Sequence, residues 1–202
     1  MANGLTRRLA FEGLAVPGHY GADGTAGVTL TLRNDLALAM VIARRAQHDR
    51  LALRVRDTFG IELPTTTRRS EAGPTAFVWS GPGQWLACAE GIEPRTFETR
   101  LQSELAGLAS VSDQSDGRVV VRVSGPRARD MLAKGVMVDL HPRAFGPGDA
   151  AVTSIAYIGA HLWQVDATPT YELAAYRSFA ASFWRWLLDA GAEFGVAVTS
   201  EM

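Results

Sequence analysis

Few residues in this chain are of types that do chemistry, and their spacing rules out most of what they could do. The histidines are His19, His48, His141 and His161. No two of them stand four residues apart as a helical zinc site requires, and none has the glutamate neighbour of an HExxH pattern. No Gly-x-Ser-x-Gly elbow supports a nucleophilic serine, and no Gly-x-x-x-x-Gly-Lys-Ser/Thr loop could cradle phosphates. Gly18, Gly21, Gly24 and Gly27 neither follow a strand nor open a helix, so they make no dinucleotide fingerprint. Cys88 is the single cysteine, which excludes an internal disulfide and a multi-cysteine zinc site. It lies in an apolar strand, where a free cysteine is usually buried and inert rather than reactive.

Three candidates survive. Lys134, the single lysine, ends a helix before Gly135. It could anchor a phosphate or carboxylate, or serve as a cation at the negative end of a helix dipole. Asp139-Leu140-His141-Pro142-Arg143 concentrates polar groups between elements. Asp139, His141 and Arg143 could hold a ligand or a subunit contact, or form a turn satisfied by its own side chains. Trp184 and Trp186 are about 200° apart around a helix and cannot share a face. With Trp186 in the core beside Phe183, Trp184 points away, which suits an interface; packing at the core edge is the alternative.

The elements that must position these residues are read from periodicity. Residues 1–35, rich in glycine around Pro17, allow little beyond a short strand at Val28–Leu32 and are expected to form an extended arm. Phe11, Leu14, Val16 and Tyr20 supply anchors with which the arm would order against a partner. From Leu36 to Ala43 every residue is apolar, which predicts a central strand. Ala46–Phe59 has helical spacing and stops at Gly60. Strands follow at Thr75–Trp79 and Gln84–Ala89, a helix opened by Pro94, and strands at Ser110–Ser115 and Arg118–Ser124 around the Asp116-Gly117 turn. Ser124-Gly125-Pro126 opens a helix ending at Gly135. Val152–Ile158 and His161–Asp166 bracket a turn at Gly159-Ala160, Tyr171–Tyr176 is a strand, and Ser178 caps a last helix stopped by Gly191. On that helix Phe179, Phe183, Trp186, Leu187 and Ala190 are expected inward. The order is β-α-β-β-α-β from Leu36 to Ser115, and much the same with one added strand from Arg118. The expected fold is α+β: residues 36–202 form one compact domain of two tandem ferredoxin-like halves, about 36–115 and 116–202.

Composition narrows the class further. The chain has 202 residues, 47% apolar, with 20 basic against 21 acidic residues and a net charge of −1. The charge balance argues against a dedicated nucleic-acid binder and the apolar content against disorder. Arg7 and Arg8 precede too few apolar residues for a signal peptide, and the run Leu36–Ala43 is far short of the roughly 20 that span a bilayer. A cytoplasmic protein with no membrane partner is expected.

The chain resembles the gamma subunit of heterotetrameric sarcosine oxidase. The resemblance lies in Phe59-Gly60 with Leu63-Pro64, Trp79-Ser80-Gly81-Pro82-Gly83-Gln84-Trp85-Leu86, Val123-Ser124-Gly125-Pro126 and Leu132-Ala133-Lys134-Gly135. It continues in Asp139-Leu140-His141-Pro142-Arg143-Ala144-Phe145, the most specific part, and in Arg177-Ser178-Phe179 with Trp184 and Leu187. The resemblance implies the fold of the aminomethyltransferase folate-binding domain and a non-catalytic subunit touching an alpha chain, with beta and delta chains beside it. It places FAD, FMN, NAD, tetrahydrofolate and zinc in those partners, with no catalytic, cofactor or metal residue here. Related readings are the small subunit of an N-methyl amino acid dehydrogenase and a stand-alone folate-binding aminomethyltransferase-like domain. A tRNA-modification-linked folate protein is disfavoured, because Val136-Met137 follows Lys134-Gly135 in place of Cys-Tyr.

Overall fold

A computed structural model describes residues 9–200; residues 1–8, the start of the predicted arm with Arg7 and Arg8, lie outside the described residues. Two short strands come first, β1 (Gly18–Tyr20) and β2 (Val28–Leu32). The first half of the body follows as β3 (Leu36–Ala43), α1 (His48–Phe59), β4 (Arg69–Ala72), β5 (Thr75–Gly81), β6 (Gln84–Glu90), α2 (Pro94–Glu104) and β7 (Ala109–Asp113). The second half is β8 (Arg118–Ser124), α3 (Ala128–Ala133), β9 (Ala150–Ile155), β10 (Ile158–Asp166), β11 (Thr170–Tyr176), α4 (Ala180–Gly191) and β12 (Val196–Ser200).

The first half builds a five-stranded antiparallel sheet in the order β4-β5-β6-β3-β7. Without β4 this is the ferredoxin-like order, with β3 central, as its two apolar faces require. Ala37, Ala39 and Val41 face a core shared with Leu51 and Val55 of α1 and Phe97 and Leu101 of α2. Leu36 and Leu38 face the opposite way, into a core shared with the second sheet. α1 stops where Gly60 takes a left-handed conformation (φ +69°) and its N–H reaches the Arg56 carbonyl. Glu93 caps α2, its carboxylate accepting from the Thr96 N–H at 2.8 Å, ahead of Pro94 in the first turn.

The second sheet has seven strands in the order β1-β12-β2-β8-β11-β10-β9. Strands β8, β10, β11 and β12 follow the same ferredoxin-like plan, but β2 is inserted between β8 and β12, parallel to β12. The two sheets face each other across Leu38, Val78, Leu86, Val120 and Trp163, with α1 and α2 outside one and α3 and α4 outside the other. Four layers result.

Several local expectations differ from the structure. The β9–β10 turn is at Ala156-Tyr157, both left-handed (φ +48° and +67°), and Gly159 lies inside β10 opposite Ser154. Ser178 does not cap α4; Phe179 holds that position after a 3₁₀ turn and is itself half exposed. Gly191 is the last residue of α4 but does not stop it in a left-handed conformation (φ −85°). The chain runs on through a 3₁₀ turn at Ala192–Phe194 to Gly195 (φ +66°), and Gly191 is kept small by Val196, whose Cγ2 would stand 2.5 Å from an added Cβ. Phe11, read as an anchor for a partner, is buried in the chain's own core, while Leu14 and Val16 stay exposed. No helix among the described residues is long and apolar enough to cross a membrane.

Candidate functional site

Charged residues gather between the sheets, where alternation forces strand positions inward in pairs. Arg33, just past β2, Arg122 on β8 and Glu172 on β11 all project into this layer. One oxygen of Glu172 accepts from Arg33 and, at 2.8 and 3.1 Å, from Arg122; the other accepts from the Trp163 indole N–H at 2.9 Å. The Arg33 fork also holds both oxygens of Asp35, at 2.9 and 2.8 Å, and lies 3.2 Å from Glu90. Burial alone would raise the Asp35 carboxyl, but hydrogen bonds and charge from Arg33 hold it below the usual carboxylate range. The network borders a cavity of about 110 Å³ that Arg69, Glu71 and Cys88 also line. Burial pushes the Cys88 thiol up to about 12, so no thiolate nucleophile is available at neutral pH.

A second buried set sits nearby. Ser80 Oγ is 2.8 Å from His161 Nε2, and His161 Nδ1 is 3.3 Å from Arg118 Nη1. This looks like the serine–histidine pair of a hydrolase, but its polarity is reversed. A guanidinium can only donate, so Nδ1 accepts, the proton sits on Nε2, and the imidazole donates to Ser80 rather than taking its proton. Burial, and then the charge of Arg118, lower the His161 pKa to about 4. That imidazole is a poor base, and the three groups tie β5 to β10 and β8 instead. Sequence reasoning passed over Ser80 and Arg118 because the pairs form across 81 and 43 residues of chain.

The candidates read from the sequence are distributed differently. Lys134 Nζ donates to the Ala190 carbonyl near the end of α4, pairs with Glu193 and lies 4.5 Å over the Phe194 ring. The helix whose negative end it meets is α4. Next to it, Gly135 makes room for Trp186, whose Cζ2 would stand 2.5 Å from an added Cβ. The 139–143 loop is bonded to itself. Asp139 Oδ1 accepts from the His141 N–H at 2.8 Å, and His141 Nδ1 accepts from the Arg143 N–H at 3.2 Å. Leu140 and Phe145 anchor the loop inward while Asp139, His141 and Arg143 are exposed. Trp184 overturns the expectation of an outward indole. At about 100° per residue Trp184 and Trp186 flank the stripe formed by Phe183 and Leu187 at equal angles on either side, so spacing alone does not choose between them. Trp184 is buried, with its ring 5.4 Å from Phe11, and Trp186 is half-buried against the same core. Among the described residues no cluster of three His, Cys, Asp or Glu side chains is placed to hold a metal ion.

The family model for the sarcosine oxidase gamma subunit matches residues 44–193, which includes both ferredoxin-like helix pairs. The chain belongs to that family. It is similar to the sarcosine oxidase subunit gamma of Corynebacterium sp. strain U-96, 35% identical over 68% of this chain and 67% of that protein. To the subunit of strain P-1 it is 39% identical over 59% of this chain and 58% of the relative. A chain of the heterotetrameric sarcosine oxidase from Corynebacterium sp. U-96, solved in complex with pyrrole 2-carboxylate, superposes with a TM-score of 0.74. That match has 30% identity and covers 87% of this chain and 88% of the other. The glycine cleavage system aminomethyltransferase T from Bartonella henselae superposes at 0.61 over 86% of this chain and 48% of its own, at 14% identity, and so shares the fold. Within the family match, Lys134, Gly135 and Trp184 bind the second half together, while the 139–143 loop faces solvent.

Proposed function

We propose that the chain is the non-catalytic gamma subunit of a heterotetrameric sarcosine oxidase, held against the alpha chain, with beta and delta chains completing the complex. The complex would oxidise sarcosine to glycine, reduce oxygen to hydrogen peroxide and pass the methyl carbon to tetrahydrofolate as 5,10-methylenetetrahydrofolate. FAD, FMN, NAD, tetrahydrofolate and zinc would be held by the partner chains. The observation that carries this reading is the superposition over 87% of the chain on a chain of a heterotetrameric sarcosine oxidase.

The buried chemistry supports a binding role. Ser80-His161 has the wrong polarity for a nucleophile, and the arginines and carboxylates between the sheets bond one another. A cavity of about 110 Å³ is well below the roughly 300–1,000 Å³ of ligand pockets. The non-catalytic reading predicts that tetrahydrofolate titrated against the isolated chain gives no binding at millimolar ligand. The deciding experiment is co-expression of the tagged full chain with the alpha chain encoded with it. Stoichiometric co-purification is expected, and a stable monomer that leaves alpha behind overturns the reading.

A further inference from the structure

Arg118 stands apart from the charge network between the sheets. On β8 it alternates with Val119, Val121 and Val123, which face the helices, and so shares the inter-sheet side with Val120 and Arg122. β11 answers the two arginines differently. Opposite Arg122 stands Glu172, one carboxylate oxygen of which accepts from both Nε and Nη2 of that guanidinium. Opposite Arg118 stands Tyr176, whose ring centroid lies 4.3 Å from the guanidinium carbon. A ring face compensates a buried cation far less than a carboxylate does.

The other contacts of Arg118 bring no negative charge. It is 6% exposed, and its one hydrogen bond runs from Nη1 to Nδ1 of the neutral His161 at 3.3 Å. The buried Nε has no acceptor, and Nη2 has none among the described residues. Nor does any carboxylate among them pair with Arg118. Nε and Nη2 form the same edge of the fork that Arg122 turns to Glu172, here without an acceptor. A guanidinium cannot give up its proton, so the charge persists out of water.

This side chain borders a cavity of about 30 Å³ whose wall includes Phe11 of the arm. Arg33, Arg177, Asn34 and Ser115 supply the rest of its polar lining, and no carboxylate lines it. Arg33 is held by Asp35 and Glu172, and Ser115 Oγ by Leu38 and Asp113. The half-buried Asn34 amide makes no hydrogen bond among the described residues and can donate. A water needs about 10–15 Å³ of such space, so the cavity takes one or two bodies of that size.

We propose that this cavity is a binding site for a small inorganic anion of chloride size, held by the Arg118 guanidinium and the Asn34 amide. A monatomic anion suits the volume and places a negative charge where β11 offers only a ring. Charge-assisted hydrogen bonds from the arginine edge would hold it, as they hold Glu172 on Arg122.

The test is thermal unfolding of the full chain as sodium chloride replaces sodium gluconate at constant ionic strength, gluconate being too large for the cavity. The melting temperature of wild type should rise saturably, by roughly 3–6 °C once chloride exceeds its dissociation constant tenfold. Arg118→Met keeps an apolar stem and removes the cation, and should show no such rise. Arg95→Met, at an exposed position at the start of α2, should respond as wild type does. Crystals of wild type grown in sodium bromide should show the anomalous signal of bromide against the Arg118 guanidinium. A rise of equal size in Arg118→Met, or no bromide at Arg118, overturns the proposal and leaves the gamma-subunit reading untouched. A wild type indifferent to chloride also overturns it, and bromide at Arg118 is then an adventitious ion only. If Arg118→Met does not fold, the wild-type chloride response and the bromide position decide.

Discussion

Replacing Glu172 by alanine removes the one carboxylate that serves three donors between the sheets. Arg33 would lose a partner while its side chain stays 1% exposed, Arg122 would lose its fork, and the Trp163 N–H would be left without an acceptor. Breaking a buried ion pair costs about 3–5 kcal/mol, and an orphaned N–H adds roughly 1 or more. The Asp35 fork remains on Arg33 and keeps that loss near the lower end. A total of about 4 kcal/mol, at 2–4 °C per kcal/mol for a chain of this size, lowers the melting temperature by roughly 8–16 °C. Glu172→Gln keeps an acceptor for Trp163 and loses only the charge, so it should fall between wild type and alanine. Urea and thermal unfolding of the three proteins measure this. A loss under about 1 kcal/mol for Glu172→Ala, the value of an exposed pair, refutes the view that the network holds the layer together.

The remaining predictions address other contacts. His161 is neutral when folded, with a pKa of about 4 against 6.5 unfolded, so the unfolded chain binds more protons between those values. Stability should be full above about pH 6.5 and fall by roughly 3 kcal/mol as pH drops to about 4; urea unfolding against pH should show this slope, and His161→Gln should flatten it. Gly135→Ala forces a methyl against the Trp186 indole and should cost about 1–3 kcal/mol in thermal unfolding. Cys88 should give no reaction with a thiol reagent in the folded chain at pH 8 and one equivalent in denaturant, because it is buried and its thiol is pushed up to about 12.

Much of the architecture was legible because it rests on local pattern. The doubly apolar β3, the Leu51-Val55-Phe59 spacing of α1, Pro94 at the start of α2 and the extent of β8 all stand where periodicity and capping placed them. Errors arose where a local rule had more than one solution. Gly159 offered itself as the turn, but the pairing of Trp163 with Ala150 through Ile158 with Ile155 sets the hairpin so that Ala156 and Tyr157 must turn. Trp186 seemed the inward indole until Gly135 and Phe11, from other parts of the chain, defined where α4 had space and where it had a ring to meet. The strands β1, β4 and β12 carry too little pattern in three to five residues each to stand out from loop.

Residue types and spacing by themselves determined that this chain has no hydrolase elbow, phosphate loop, disulfide framework or cysteine-clustered zinc site, and that it alternates strands and helices in two ferredoxin-like runs. Tertiary structure alone decided what its polar residues do. Ser80 with His161, Arg33 with Glu172 and Lys134 with Ala190 meet across 81, 139 and 56 residues, and no local periodicity encodes such a meeting. Folding the two sheets face to face brings these groups out of water together, and a buried charge or donor must then bond whatever the opposite strand presents.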